Sequence, residues 1–208
     1  MPKIQPFEEY ANEYDDWFVK NKSVYKAELQ AIRDILPKNG TGLEIGVGTG
    51  RFAVPLGIKD GLEPAGNMRA IAQMRGINVV PGVAEALPFP DAAFDYLLMV
   101  TVLCFLDDVR AACREARRVL KPGGCLLLGF IDKNSKLGKL YAANKTKNKY
   151  YHAATFYSAE EVVSFLKEAG FSDFIFRQTI FHREPKRPEP VREGSGKGSF
   201  VVVKSSKN

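Results

Sequence analysis

At 208 residues the chain is long enough to bury a core without disulfides or metal, and one domain spanning residues 1–208 is the expectation. It has no apolar run of about eighteen residues and no hydrophobic signal core in M-P-K-I-Q-P-F-E-E-Y, which argues against a membrane span and for a soluble, cytoplasmic protein. Three widely spaced cysteines, Cys104, Cys113 and Cys125, sit in apolar sequence and argue against a disulfide framework or a zinc cluster. The net charge of +6 is uneven, because residues 1–132 carry 15 Lys/Arg against 17 Asp/Glu and residues 133–208 carry 15 against 7. A basic C-terminal third reads either as a solvated surface or as a face for an anionic partner, so nucleic acid stays open as a partner.

Residues 1–22 hold Phe7, Tyr10, Tyr14, Trp17 and Phe18, a dense aromatic set that must pack on something. A lid over a ligand cleft and a helix docked on a sheet are the two readings. From Ser23, Tyr25, Leu29, Ile32 and Leu36 fall at helical spacing, with Ser23 placed to cap the start and Pro37 to end the run.

Leu43 to Phe52 reads L-E-I-G-V-G-T-G-R-F, a short apolar strand breaking into glycines at alternate positions. Gly46, Gly48 and Gly50 lack Cβ atoms, so the turn can be sharp and the bare backbone can approach a ligand. Glu44 is an acid in an apolar strand, costly to bury unless a hydrogen bond or a cation such as a ligand ammonium meets it. A dinucleotide fingerprint requires G-x-G-x-x-G, and here Arg51 stands at the last position. The acid followed by G-x-G-x-G instead resembles motif I of the class I S-adenosylmethionine (SAM)-dependent methyltransferases.

That resemblance implies an α/β three-layer sandwich on a Rossmann-like, seven-stranded, mainly parallel sheet whose last strand is antiparallel. It also implies SAM as cofactor. Y-x-x-x-Y-D-x-W-F in the N-terminal segment resembles the lead-in of small-molecule methyltransferases, which favours the lid.

Gly57 to Leu62 reads as the second strand, ending at Glu63-Pro64. Glu63 stands where nucleoside-binding α/β folds place an acid for the ribose hydroxyls, and a carboxylate can accept both side by side. The alternative is an acid that only caps the following helix, Asn67–Arg75, which closes at Gly76; Met68 on that helix is a candidate to face the adenine. After a third strand, Ile77–Val80, the string G-x-A-E-x-L-P-F resembles the corresponding loop of ubiquinone/menaquinone-type methyltransferases. The family's adenine-binding Asp is replaced by Val83, so the resemblance passes that role to the Ala84 backbone and Glu85.

Phe94 to Val100 is nearly all apolar, as a strand covered on both faces should be. Its carboxyl end, Met99 to Val102, with Met99 and Val100 as candidate cofactor contacts, is expected at the cleft. The Asn/Asp-Pro-Pro-aromatic turn of adenine and glutamine-amide methyltransferases is absent here, and Cys104-Phe105 replaces the family's frequent histidines. Asp107 or Asp108 caps the next helix, and Cys125–Ile131 is a fifth strand. Asp132 to Thr155 is irregular, rich in Lys and Tyr, and is either a substrate cap or a solvated crossover. Ser158-Ala159-Glu160-Glu161 is a capping box. Asp173–Phe181 and Phe200–Lys204 read as the last strands, flanking a loop over Arg183–Gly198.

The resemblance covers about residues 7–170 and implies methyl transfer to a small-molecule acceptor that it does not identify. Orientation alone supplies much of such catalysis, so no catalytic residue is named; His152, Tyr14 and Tyr150 are the candidate bases. A SAM-binding protein without transferase activity, an RNA or protein methyltransferase and an NAD-dependent oxidoreductase are the alternatives.

Overall fold

The computed structural model describes residues 3–208; Met1 and Pro2, the first two positions of the expected lid, lie outside the described residues. Eight strands form one sheet: β1 (Gly42–Ile45), β2 (Asp60–Leu62), β3 (Asn78–Val80), β4 (Phe94–Val100), β5 (Leu120–Ile131), β6 (Ser172–Thr179), β7 (Arg192–Glu193) and β8 (Phe200–Ser206). Their order is β3-β2-β1-β4-β5-β8-β6-β7. The first five pair in parallel, while β8 runs antiparallel to both β5 and β6. The order reverses between β1 and β4, and that switch point opens a crevice at the strands' carboxyl ends.

The sheet has one strand more than the seven expected. The addition is β7, inside the segment read as a loop, paired antiparallel with β6 through Arg177↔Glu193 and Gln178↔Arg192. Gln178 holds the segment back against the sheet, donating to the Glu193 carbonyl at 2.9 Å and accepting from the Lys197 amide at 2.9 Å. Two residues are too few to show an alternating pattern.

Side-chain alternation along the central strands divides the core between two faces. Leu97 and Met99 of β4, Leu126 and Leu128 of β5 and Val201 and Val203 of β8 pack under α6 (Val109–Val119) and α8 (Ala159–Glu168). Leu98, Val100, Leu127, Phe200 and Val202 face α3 (Lys22–Arg33) and the short α4 (Ala53–Leu56). This is the expected three-layer arrangement. Asp108, of the two aspartates considered, caps α6 by accepting from the Ala111 amide at 2.9 Å. The α8 capping box is complete in both directions, between Ser158 and Glu161.

Three local expectations are corrected. Helix α3 begins at Lys22, with Asn21 at its cap and Ser23 inside its first turn, because α2 (Ala11–Lys20) runs almost directly into it. Gly57 closes α4 at φ 75° and so cannot open the second strand, which starts at Asp60. Residues 132–155 contain a regular helix, α7 (Lys136–Asn144), capped by the Ser135 side chain. Among the described residues, no helix is long and apolar enough to cross a membrane.

The capping box lies away from the crevice, so Ser158→Ala is expected to cost about 1 kcal/mol. A lower midpoint in urea with unchanged ligand affinity checks this.

Candidate active site

The crevice is walled by the glycine loop after β1, the end of β2, the loop after β3 and the end of β4. Gly46 has φ 70°, and a Cβ there would come within 2.4 Å of Val102 Cγ2, so only glycine lets this loop pass the β4 exit. Gly48 differs in kind: at φ 54°, its Cβ position has no atom within 4 Å, which leaves open room for a ligand against its backbone. The turn is pinned to β2, with the Gly46 and Val47 amides both donating to the Leu62 carbonyl at 2.7 and 3.0 Å.

Glu63, 7% exposed, lies at the end of β2 and on the crevice wall. One carboxylate oxygen accepts from the Gly48 amide and the other from the Ala65 amide, each at 2.9 Å. Each oxygen keeps a free lone pair. Burial raises its pKa, and those two amides work in the opposite direction. Glu44, 1% exposed, lies behind the loop at the centre of β1, between Gly61 and Leu98. Burial pushes its carboxyl well above the usual range, and its Oε2 has no hydrogen-bond partner among the described residues.

The N-terminal helices close over this floor. Ile4, Phe7 and Tyr14 pack against Ala65, Met68 and Ile71, which joins α1 (Gln5–Glu9) and α2 to α5 (Gly66–Met74). Asp15 of α2 accepts from Thr49 Oγ1 at 2.6 Å, Arg51 Nε at 2.8 Å and Arg75 Nη1 at 2.7 Å. Arg75 also donates to the Thr49 carbonyl at 2.6 Å. Burial acts to raise the Asp15 pKa, but the hydrogen bonds from Arg75, Arg51 and Thr49 outweigh it and hold the carboxyl well below its usual range. Arg51, at the position where a dinucleotide loop has glycine, thus serves a clasp between the glycine loop and α2.

Beyond Tyr14 a second space opens, a chamber of about 220 Å³ between α2, α3, α7 and the segment after it. Its walls are mainly aromatic, including Trp17, Phe18, Tyr141, Tyr150 and Tyr151. Crevice and chamber share four wall residues, Phe7, Tyr14, Thr101 and Phe105. Tyr14 meets Tyr150 edge-on at 5.6 Å and Phe7 meets Phe105 at 4.8 Å. Thr101 has φ 55°, a strained conformation for a β-branched residue, held by its amide's bond to the Gly129 carbonyl at 2.7 Å. Burial raises the Tyr14 and Tyr151 hydroxyls and pushes Tyr150 up to about 12, so these phenols stay neutral at physiological pH. Glu28 of α3, 6% exposed, lines the same chamber, and burial pushes its carboxyl up to about 8.

Of the residues singled out from the sequence, Gly46, Gly48, Glu63, Pro64, Met68, Ala84, Glu85 and Val100 come together on the crevice wall. Glu44, Gly50 and Met99 do not line it. Gly50 closes the loop through its amide's bond to the Val47 carbonyl at 2.9 Å. Met99 is buried among residues of the α6 face. One Glu85 carboxylate oxygen is engaged by the Asp107 amide at 2.9 Å, beside Val83 on the wall. His152 is exposed, its Nδ1 2.9 Å from the Lys149 carbonyl oxygen, and lines neither space. The three cysteines are buried free thiols. Thr101 lies within the Met99–Val102 end that the sequence placed at the cleft, whereas Glu28 was not marked, because it reads as one more charge on an amphipathic helix.

Residues 43–128 match the methyltransferase domain family. The crystal structure of a SAM-dependent methyltransferase from Thermotoga maritima, described as a possible histamine N-methyltransferase, is 48% identical with a TM-score of 0.96, covering 99% of this chain and 100% of that one. An uncharacterised protein of Methanocaldococcus jannaschii is 47% identical over 202 residues, 97% of this chain and 98% of its own length. A demethylmenaquinone methyltransferase of Staphylococcus aureus is 29% identical over 174 residues, covering 68% of this chain and 72% of its own. The chain belongs to the SAM-dependent methyltransferases. It is an enzyme of that class, and S-adenosylmethionine is its cofactor.

Two outcomes follow from Asp15 and Glu28. Asp15→Asn is expected to loosen α2, read as faster amide hydrogen exchange over Ala11–Lys20 with the sheet unchanged. Because the Asp15 pKa is depressed, the stabilisation that substitution removes is present above about pH 4 and fades on acidification through that region. Glu28 has the opposite sign: with its folded pKa about 8, the ligand-free protein binds the extra proton and loses stability as pH rises from about 4.5 to 8. Glu28→Gln is expected to flatten that slope by up to about 1.4 kcal/mol per pH unit, measured by urea unfolding at a series of pH values.

Proposed function

We propose that the crevice holds S-adenosylmethionine and that the chamber behind Tyr14 holds a small-molecule acceptor. The observation that carries this reading is the shared wall of Phe7, Tyr14, Thr101 and Phe105, where two differently built spaces meet. One has a nucleoside's requirements: bare backbone at Gly48 with room in front of it, and a carboxylate at Glu63 with two lone pairs free. The other is mainly aromatic.

In this reading Glu63 accepts from the ribose hydroxyls, and Gly46, Gly48 and Pro64 line the nucleoside's path. Met68 and the Ala84–Glu85 turn flank the base, with Val100 at the floor. Glu44, Gly50 and Met99 act from behind, as the support on which the loop rests. When bound, S-adenosylmethionine supplies an activated methyl group on a sulfonium, which an acceptor lone pair takes up directly. The protein's part is to orient the acceptor and to keep water out, and Tyr14 and the rings of α7 and the segment after it serve both ends. Residues 3–22 then form a lid and residues 132–155 a cap, joined where Lys149 pairs with Glu13 and lies 4.2 Å over the Tyr10 ring.

An aromatic chamber of this size favours a small molecule over RNA or a folded protein. A cytoplasmic location belongs to the same proposal. Glu63→Ala is expected to weaken S-adenosylmethionine binding by about 1.5–3 kcal/mol, roughly 10- to 150-fold, while unfolding stays cooperative. Unchanged affinity in a calorimetric titration would remove the ribose assignment. Incubation with S-adenosylmethionine and a metabolite extract is expected to yield a species heavier by one methyl group.

A further inference from the structure

We propose that the acceptor is an amine which enters the chamber as an ammonium cation, with the Glu28 carboxylate as its counter-ion and proton acceptor. This rests on the reading that the chamber is the acceptor site. The other buried positions of α3, Ala27, Leu29, Ala31 and Ile32, are apolar, and Glu28 alone carries a carboxylate into the interior. No donor or cation meets that carboxylate among the described residues, and a buried acid left so is costly. Glu28 is also the one charged side chain among the described residues lining the chamber.

The groups facing it are hydroxyls: Tyr14 from α2, Tyr141 from α7 and Tyr151 beyond it, each of which the Glu28 charge helps to hold protonated. Neutral aromatic faces around a single negative charge complement a cation with an apolar body, through ring quadrupoles and ion pairing together. With no cation on the chamber's wall among the described residues, an anion gains no ion pair there. An aliphatic ammonium titrates near 10, so at neutral pH it arrives charged and displaces the proton that burial keeps on Glu28. For transfer, the ammonium returns one N–H proton to the Glu28 oxygen, and the freed lone pair bonds to the methyl carbon. The C–S electron pair stays on sulfur as a thioether, and the methylated nitrogen leaves as a cation.

Trp17 is the chain's one tryptophan and lines the chamber, so its fluorescence reports occupancy. The test titrates protein saturated with S-adenosylhomocysteine with three probes of one shape: 2-phenylethylamine, 2-phenylethanol and phenylacetate. Heats are read at pH 7 in two buffers of different ionisation enthalpy. The expected result is a Trp17 response to the amine, at least about tenfold weaker binding of the alcohol, none of the acid, and roughly one proton released per amine bound. Glu28→Gln is expected to abolish the proton release and the preference for the amine. If amine and alcohol bind alike without proton release, and Glu28→Gln changes nothing, the chamber reading stands and the amine inference is overturned. If none of the three probes moves Trp17 while S-adenosylhomocysteine still binds, the chamber reading itself fails and takes the inference with it.

Discussion

The hydrogen bond from the Gly48 amide to Glu63, 2.9 Å long, joins the two elements on which the site depends. It ties the loop leaving β1 to the acid ending β2, and the second Glu63 oxygen ties that acid to the start of α5 at Ala65. A buried carboxylate is tolerable there because two backbone amides, which would themselves need partners, converge on it. The same bonds leave the carboxylate with spare accepting capacity facing the crevice. Structural satisfaction and the proposed ribose recognition are thus compatible in one group, and the readings of a ribose acid and a helix-start acid do not compete.

The loop is held from above as well as from the side. Asp15 gathers Thr49, Arg51 and Arg75, so α2 is held on the glycine turn through an ionic clasp, and the N-terminal helices are held on Met68 through packing. Its partial burial shields the clasp from the screening that makes exposed ion pairs weak. Coupling of this kind makes the glycine loop and α2 one mechanical unit, and it explains why a positively charged residue follows the last glycine.

What the sequence revealed, it revealed where backbone chemistry is unusual or periodicity is long. Gly46 and Gly48 are legible because both take a positive φ that favours glycine, and the apolar run of β4 is legible as a strand covered on both faces, while the division of its residues between those faces is given only by the packing. The α8 capping box was readable from four residues because its bonds are local. Strand β7 was hidden because it exists only through pairing with β6. Helix α7 was hidden because its lysines and tyrosines carry no clean apolar stripe. Glu28 was hidden for a different reason: the tertiary packing of α2, α3 and α7 turns a charge on an amphipathic helix into the single acid of an aromatic chamber. Local pattern cannot distinguish a solvated Glu from that one.

The account's central claim is that the two spaces meet at Tyr14 and Thr101, the methyl donor on one side and the acceptor on the other. A crystal structure with S-adenosylhomocysteine bound tests it most directly. The account predicts the ribose hydroxyls on the Glu63 carboxylate and the thioether sulfur turned toward the Tyr14–Thr101 boundary. A nucleoside seated away from Glu63, or a sulfur facing away from the chamber, would contradict it.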